Sequence, residues 1–247
     1  MALMNAKGAM HMYERSDKYR ELFTTEHLMG PNSVRMLDEL MARHPLGKVE
    51  RVLDLGCGTG ITSLFAARET RAQIYAVDLW ISATDNYRRF ERWQVEKDIC
   101  PLHMDARELP FAEGFFDAII SVDSYHYFCG ANGEHLQQKL LPLLRPGGTL
   151  LLAVPGLRGD SETYDPLLLE WAGEEGCRDF HTMGWWRRAI GEASGETELW
   201  ELDCTDLAWQ EWFLSGHEFA LRDQQFMQRG ADKCINLIGM CVKKRGA

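Results

Sequence analysis

Three glycines at alternate positions, Gly56, Gly58 and Gly60, follow an apolar run that closes on Asp54 and Leu55. Glycine accepts positive φ and leaves bare backbone where a Cβ would collide with a ligand. In open α/β sheets a turn at the carboxyl end of a strand is where ligands bind. Asp78 ends the next apolar run, and a carboxylate there can accept hydrogen bonds from both hydroxyls of a ribose. Asp105 closes a third run, 99–104. The run 116–122 leads into Asp123, Tyr125, His126 and Tyr127. An imidazole beside a carboxylate can take a proton, with Asp123 orienting His126 or ionised near it. The alternative for His126 is packing beneath a bound cofactor.

A dinucleotide fingerprint, G-x-G-x-x-G, needs glycine at position 61, and this chain has Ile61. The pattern present is G-x-G-x-G preceded by Asp54. It resembles motif I of the class I S-adenosylmethionine-dependent methyltransferases. Further segments match that family in order: Asp78, His103-Met104-Asp105-Ala106, Leu109-Pro110-Phe111 running to Phe116-Asp117, and Leu143-Leu144-Arg145-Pro146-Gly147-Gly148-Thr149-Leu150. Together they cover roughly residues 50–155. Among its members the chain looks most like the ubiquinone/menaquinone C-methyltransferase type and other small-molecule methyltransferases.

The resemblance implies S-adenosylmethionine as cofactor, S-adenosylhomocysteine as product, and methyl transfer by in-line displacement to a small-molecule acceptor. It places Asp54, Gly56, Cys57, Gly58 and Gly60 at the cofactor, Asp78 with Leu79 at the ribose, Asp105 with Ala106 at the adenine, and Val122 nearby. The loop carrying Asp123 and His126 would lie beside the activated methyl group. Tyr125 and Tyr127 would shape the acceptor pocket or face the sulfonium cation. Trp185, Trp186 and Trp212 are candidates for an aromatic substrate wall, as is Trp209; hydrophobic core is the competing role for all of them. Asn32 or Ser33 would reach the methionine carboxylate or cap a helix.

Other readings keep their place. A non-catalytic S-adenosylmethionine-binding module shares the cofactor residues. A cyclopropane-fatty-acid synthase usually carries G-C-G-W-G, where this chain has Thr59 in place of tryptophan. A nicotinamide-dependent oxidoreductase fits the glycine spacing less well. No N/D-P-P-Y/F turn follows the fourth strand, which argues against methylation of bases or glutamine amides.

Positioning such residues takes alternating strands and helices, and the periodicity supplies them. Strands are expected over 49–55, 73–77, 99–104, 116–122, 149–154, 198–202 and 234–242, and helices over 61–68, 82–97 and 134–144. Pro146-Gly147-Gly148 and Pro155-Gly156 read as stops. An apolar stripe follows Pro31-Asn32-Ser33, with Asn32 or Ser33 as N-cap. The alternation implies an α/β, Rossmann-like doubly wound sheet, and the resemblance adds seven strands with the last antiparallel. One domain over 1–247 is expected: a helical N-terminal lid at 13–47, a cofactor core at 48–155, and substrate-side insertions and closing strands at 156–247.

Composition bounds the rest. The chain has 247 residues, 45% of them hydrophobic and 26% charged, which is ordinary for a globular protein. Lys+Arg 27 against Asp+Glu 37 gives −10, a charge that repels phosphate backbones and anionic lipid. Seven cysteines with no C-x-x-C read as reduced thiols and not as a disulfide framework or a zinc site, and no metal is expected. The opening residues carry no apolar segment of signal type, and no window is long enough to span a bilayer. The expected location is the cytoplasm.

Overall fold

A computed structural model describes residues 13–159, 163–191 and 195–246. The opening stretch 1–12, read above for a signal segment, lies outside the described residues. The apolar runs become β1 Arg51–Leu55, β2 Gln73–Asp78, β3 Ile99–His103, β4 Phe116–Val122, β5 Leu144–Leu157, β6 His181–Thr182, β7 Gly195–Glu201 and β8 Ile235–Lys244. They form one sheet in the order β3-β2-β1-β4-β5-β8-β7, with the two-residue β6 paired to β5. β1 to β5 run parallel, and β8 is antiparallel to both β5 and β7. The expected seven-stranded, doubly wound sheet with an antiparallel closing strand is present, and β6 adds a short eighth piece.

Both faces of the sheet are covered, which is why its strands read as nearly continuous apolar runs. Val52, Leu151 and Leu237 pack into one core layer, and Leu53, Leu55, Leu150, Leu152 and Ile238 into the other. That is the period-two alternation of strand side chains. The first layer meets helix α1 (Ser33–Arg43) and helix α2 (Ile61–Thr70). The second meets the helical stretch 136–143. Helix α3 is Ala83–Arg92; α4 (Pro166–Cys177), α5 (Met183–Ile190), α6 (Thr205–Leu214) and α7 (Glu218–Gln228) belong to the insertions before and after β7.

Three elements differ from expectation. The helix expected over 82–97 stops at Arg92, because Gln94 takes a left-handed φ of 59°. The stretch 134–144 is not a regular α-helix but a π-type turn, Leu136–Leu140, followed by Leu141–Leu143. Pro142 has no N–H to give an i→i−4 bond, and the backbone is wide just ahead of it. Pro155-Gly156 does not stop β5, which pairs with β8 through Leu157. The amide of Asp123 donates to the Ala153 carbonyl, the last contact with β4. Backbone polar groups alternate sides along a strand, so Pro155 faces the same edge beyond the end of β4 and interrupts no ladder bond there.

Candidate functional site

The carboxyl ends of β1 to β4 converge with the segment 27–33 around a cavity of about 300 Å³. Its wall is 56–59 after β1, 78–80 after β2, 104–107 after β3, and 122–124 with 127–128 after β4. The cavity spans the reversal in strand order between β1 and β4, the place a doubly wound sheet leaves open for a ligand. Its volume suits a small molecule.

The glycine loop forms one side. Gly56, Gly58 and Gly60 have φ of 73°, 55° and 85°. A Cβ on Gly56 would lie 2.3 Å from Ser124 Oγ, and one on Gly58 3.0 Å from Met29 Sδ. Gly56 and Gly58 therefore bring bare backbone to the cavity, while Gly60 faces away from it against Phe90. Asp54 is also off the wall. It is buried beneath the loop, where Oδ2 accepts hydrogen bonds from Thr62 Oγ1 at 2.7 Å and Ser63 Oγ at 2.6 Å. It ties the first turn of α2 to β1, and burial pushes its carboxyl up to about 6. Asp54 and Gly60, assigned to the cofactor on sequence grounds, are parts of the loop's frame.

Gly56, Cys57, Gly58, Asp78, Leu79, Asp105, Ala106 and Val122 do line the cavity. Asp78 Oδ2 accepts from the amide of Gly58 at 2.8 Å, and Oδ1 from the amides of Trp80 and Ile81, each at 2.8 Å. The acid thus joins the two loops whose backbones frame the cavity, and its remaining lone pairs suit hydroxyl donors. Asp105 is gripped by Arg107 through Nε at 2.9 Å and Nη2 at 2.6 Å, and by the Arg107 amide at 2.8 Å. Those bonds hold its carboxyl down at about 2.

The two catalytic candidates separate. Asp123 lines the cavity in a left-handed conformation, φ 56°. Asp78 and Asp105 are engaged, whereas the Asp123 carboxylate makes no hydrogen bond or ion pair among the described residues. Burial, and then the charge of Asp223, raise it to about 7. Asp223 itself is fixed by the indole N–H groups of Trp171 at 2.8 Å and Trp212 at 3.0 Å. His126 is not on the cavity wall. It is 2% exposed, its ring against Tyr127 and Phe180, with Nδ1 unpartnered. Burial, and then His181, push it down to about 3, so the imidazole is neutral and enclosed.

Of the aromatic residues proposed for the acceptor, only Tyr127 reaches the cavity. Tyr125 is buried, its hydroxyl hydrogen-bonded with His135. Trp186 and Trp212 are core residues, Trp209 is buried beside Trp171, and Trp185 stacks on His181 away from the wall. Trp80, two residues past Asp78, lines the cavity and meets Tyr127 with ring centroids 5.6 Å apart. Its position directly after a strand-terminal acid was the signal for it. Asn32 caps α1, its Oδ1 accepting from the amides of Val34 and Arg35. Ser33, not Asn32, stands on the wall.

Residues 52–148 match the sequence profile of a methyltransferase domain. A curated relative, the 27-O-demethylrifamycin SV methyltransferase of Amycolatopsis mediterranei (strain S699), is 28% identical over 138 residues, 53% of this chain and 50% of that protein. The chain thus spans about half the length of the curated relatives it matches. Two solved structures share the fold. The phosphoethanolamine N-methyltransferase 2 of Haemonchus contortus, bound to S-adenosylhomocysteine, aligns with a TM-score of 0.71 at 19% identity, covering 96% of this chain and 58% of that one. The geranyl diphosphate C-methyltransferase of Streptomyces coelicolor A3(2) aligns with a TM-score of 0.64 at 17% identity, covering 83% and 76%.

Proposed function

From the premise that residues 52–148 match a methyltransferase domain, we propose that this chain is a class I, S-adenosylmethionine-dependent enzyme that methylates a small molecule. The carrying observation is one cavity that joins a glycine cradle, a loop-binding acid and a free carboxylate. The cradle fits the cofactor, since Gly56 and Gly58 stand on the cavity wall as bare backbone, with Ser124 and Met29 packed where a Cβ would point. Asp78 would hold the ribose hydroxyls, the 105–106 turn the adenine, and the 56–58 loop the methionine portion. When bound, S-adenosylmethionine supplies a sulfonium methyl group open to in-line attack.

The chain's own residues do the rest. The segment 27–33 and the rim of Trp80 and Tyr127 close the cavity and restrict water. Alignment of the acceptor supplies most of the acceleration in such a displacement. Asp123 is the group placed to take the acceptor's proton, with an affinity near neutrality that suits a general base. His126 supports that loop by packing. The acceptor is a small molecule and not a nucleic acid, given the net charge of −10. The whole chain acts as one domain. Seven free cysteines favour the cytoplasm, and among the described residues no helix is long and apolar enough to cross a membrane.

The test is parallel calorimetric titration with S-adenosylmethionine, S-adenosylhomocysteine and NAD. Micromolar binding of the first two and none of NAD is expected. Binding of NAD alone overturns the reading.

A further inference from the structure

The cavity wall is uneven in charge. Its one cationic side chain, Arg107, follows β3 and is committed to Asp105. Asp123 follows β4, and β2 and β1 lie between those strands. Three inter-strand steps of about 4.8 Å put the strands that carry them roughly 14 Å apart. The other basic wall residue, His27, is 7% exposed, and burial lowers its proton affinity, so it is a neutral imidazole near pH 7. Arg35, which follows the lid segment, is not on the wall; it is wholly buried and bound to Glu211 and Asp17. Among the described residues, the β4 side of the wall therefore offers Asp123 and no cation, while behind it Asp223 is held by the two indoles and paired with Arg222 at 3.4 Å.

Around that charge the surface is aromatic. Tyr127, Phe128 and Trp80 line the cavity, Tyr127 and Trp80 both more than half exposed. An unpaired carboxylate beside π faces is the arrangement that recognises an organic cation. An anionic group there would meet the like charge of Asp123 and no donor fork. Gly30 makes the fit tight from the lid side, since a Cβ there would lie 2.4 Å from Asp123 Oδ2.

We propose that the methyl acceptor is a protonated amine, held through its ammonium group by Asp123 against the Trp80–Tyr127 rim. This rests on the methyl-transfer reading above. The ammonium gives one N–H proton to the Asp123 carboxylate. The freed nitrogen lone pair then forms the N–C bond as the methyl carbon leaves sulfur, the S–C electron pair staying on sulfur. The carboxyl proton passes to solvent, so one proton is released per methyl transferred.

Calorimetry with benzylammonium, benzyl alcohol and benzoate at pH 8 tests it, on protein with and without S-adenosylhomocysteine. Benzylammonium is expected to bind at least about tenfold more tightly than the alcohol, with benzoate weakest. Asp123→Asn, an isosteric change that tolerates the left-handed backbone, should abolish that preference and leave S-adenosylhomocysteine affinity within about twofold. An ammonium preference that survives in Asp123→Asn overturns the proposal, as does benzylammonium binding no tighter than the alcohol, including not at all. A large loss of S-adenosylhomocysteine affinity in the variant, with no ammonium preference in the wild type, would assign Asp123 to the cofactor's own amino group and also overturn it. Failure of S-adenosylhomocysteine to bind would sink the methyltransferase reading instead, while the ligand-free titrations still read the ammonium preference.

Discussion

At the scale of single residues, Asp123 carries the most consequence. Burial and Asp223 raise its carboxyl to about 7, and a base acts in its ionised form. Turnover should therefore rise about tenfold per pH unit below 7 and level off above it. Initial rates across pH 5–9 check this, and Asp123→Asn should lose the acidic limb along with most activity. The same shift has a stability consequence. Between the unfolded value near 4 and about 7 the folded state binds more protons, so stability falls as pH rises through that window. Asp123→Asn should match wild type near pH 4 and exceed it at pH 8 by roughly 2–4 kcal/mol in urea denaturation. For Asp78, proposed above as the ribose ligand, Asp78→Ala should weaken S-adenosylhomocysteine by more than about tenfold in calorimetry, since it removes that proposed contact along with three amide bonds. Residue types together with the family resemblance marked the Asp123–Tyr127 loop. They did not say which side chain meets the cavity, because that depends on a left-handed backbone at Asp123 and the tight turn Tyr125–Tyr127 after it.

At the scale of elements, strands were the most legible. Their apolar runs are short, bounded by glycine, proline or acid, and buried on both faces, so composition and position agree. The glycine loop was legible for the same reason: positive φ at alternate residues demands glycine. Substitution shows the demand is steric as well. Gly60→Ala would hold a left-handed alanine with its Cβ 2.5 Å from Phe90 Cε1. A loss of about 2–4 kcal/mol in urea denaturation is expected. Helix ends and irregular turns were less legible, since Gln94 and the stretch 136–143 take shapes that periodicity does not encode. The tryptophans were least so. A tryptophan suits core and pocket equally, and only packing partners separate Trp212, bound to Asp223 in the core, from Trp80 at the cavity. Trp212, read from the sequence as part of an aromatic wall, instead joins Trp171 in holding Asp223, whose charge raises Asp123.

At the scale of the whole molecule, the cavity's lid segment, 27–33, is anchored to a helix far away in sequence, α6. They are joined by one charged knot. Glu211 on α6 accepts from Arg35 Nε at 2.9 Å and Nη2 at 2.8 Å, and from Asn32 Nδ2 at 2.6 Å. The Asn32 amide adds a bond to the Ala208 carbonyl. Arg35 is fully buried, so its charge depends on that geometry. Sequence shows an asparagine cap and a distant glutamate, and nothing in their spacing joins them. Glu211→Ala strands the guanidinium with Asp17 and the Ser16 hydroxyl as its remaining side-chain partners. It should cost about 3 kcal/mol, the range for breaking a buried pair. Arg92→Ala, which removes an exposed pair with Glu26, should cost under about 1 kcal/mol and serves as the control. The knot also sets the wall residues Met29 to Ser33, so Glu211→Ala should weaken S-adenosylhomocysteine binding as well as lower the melting temperature. Thermal denaturation and calorimetry on the same samples separate the two effects. Unchanged affinity in a destabilised variant would mean that the knot supports the fold and leaves the lid's position to other contacts.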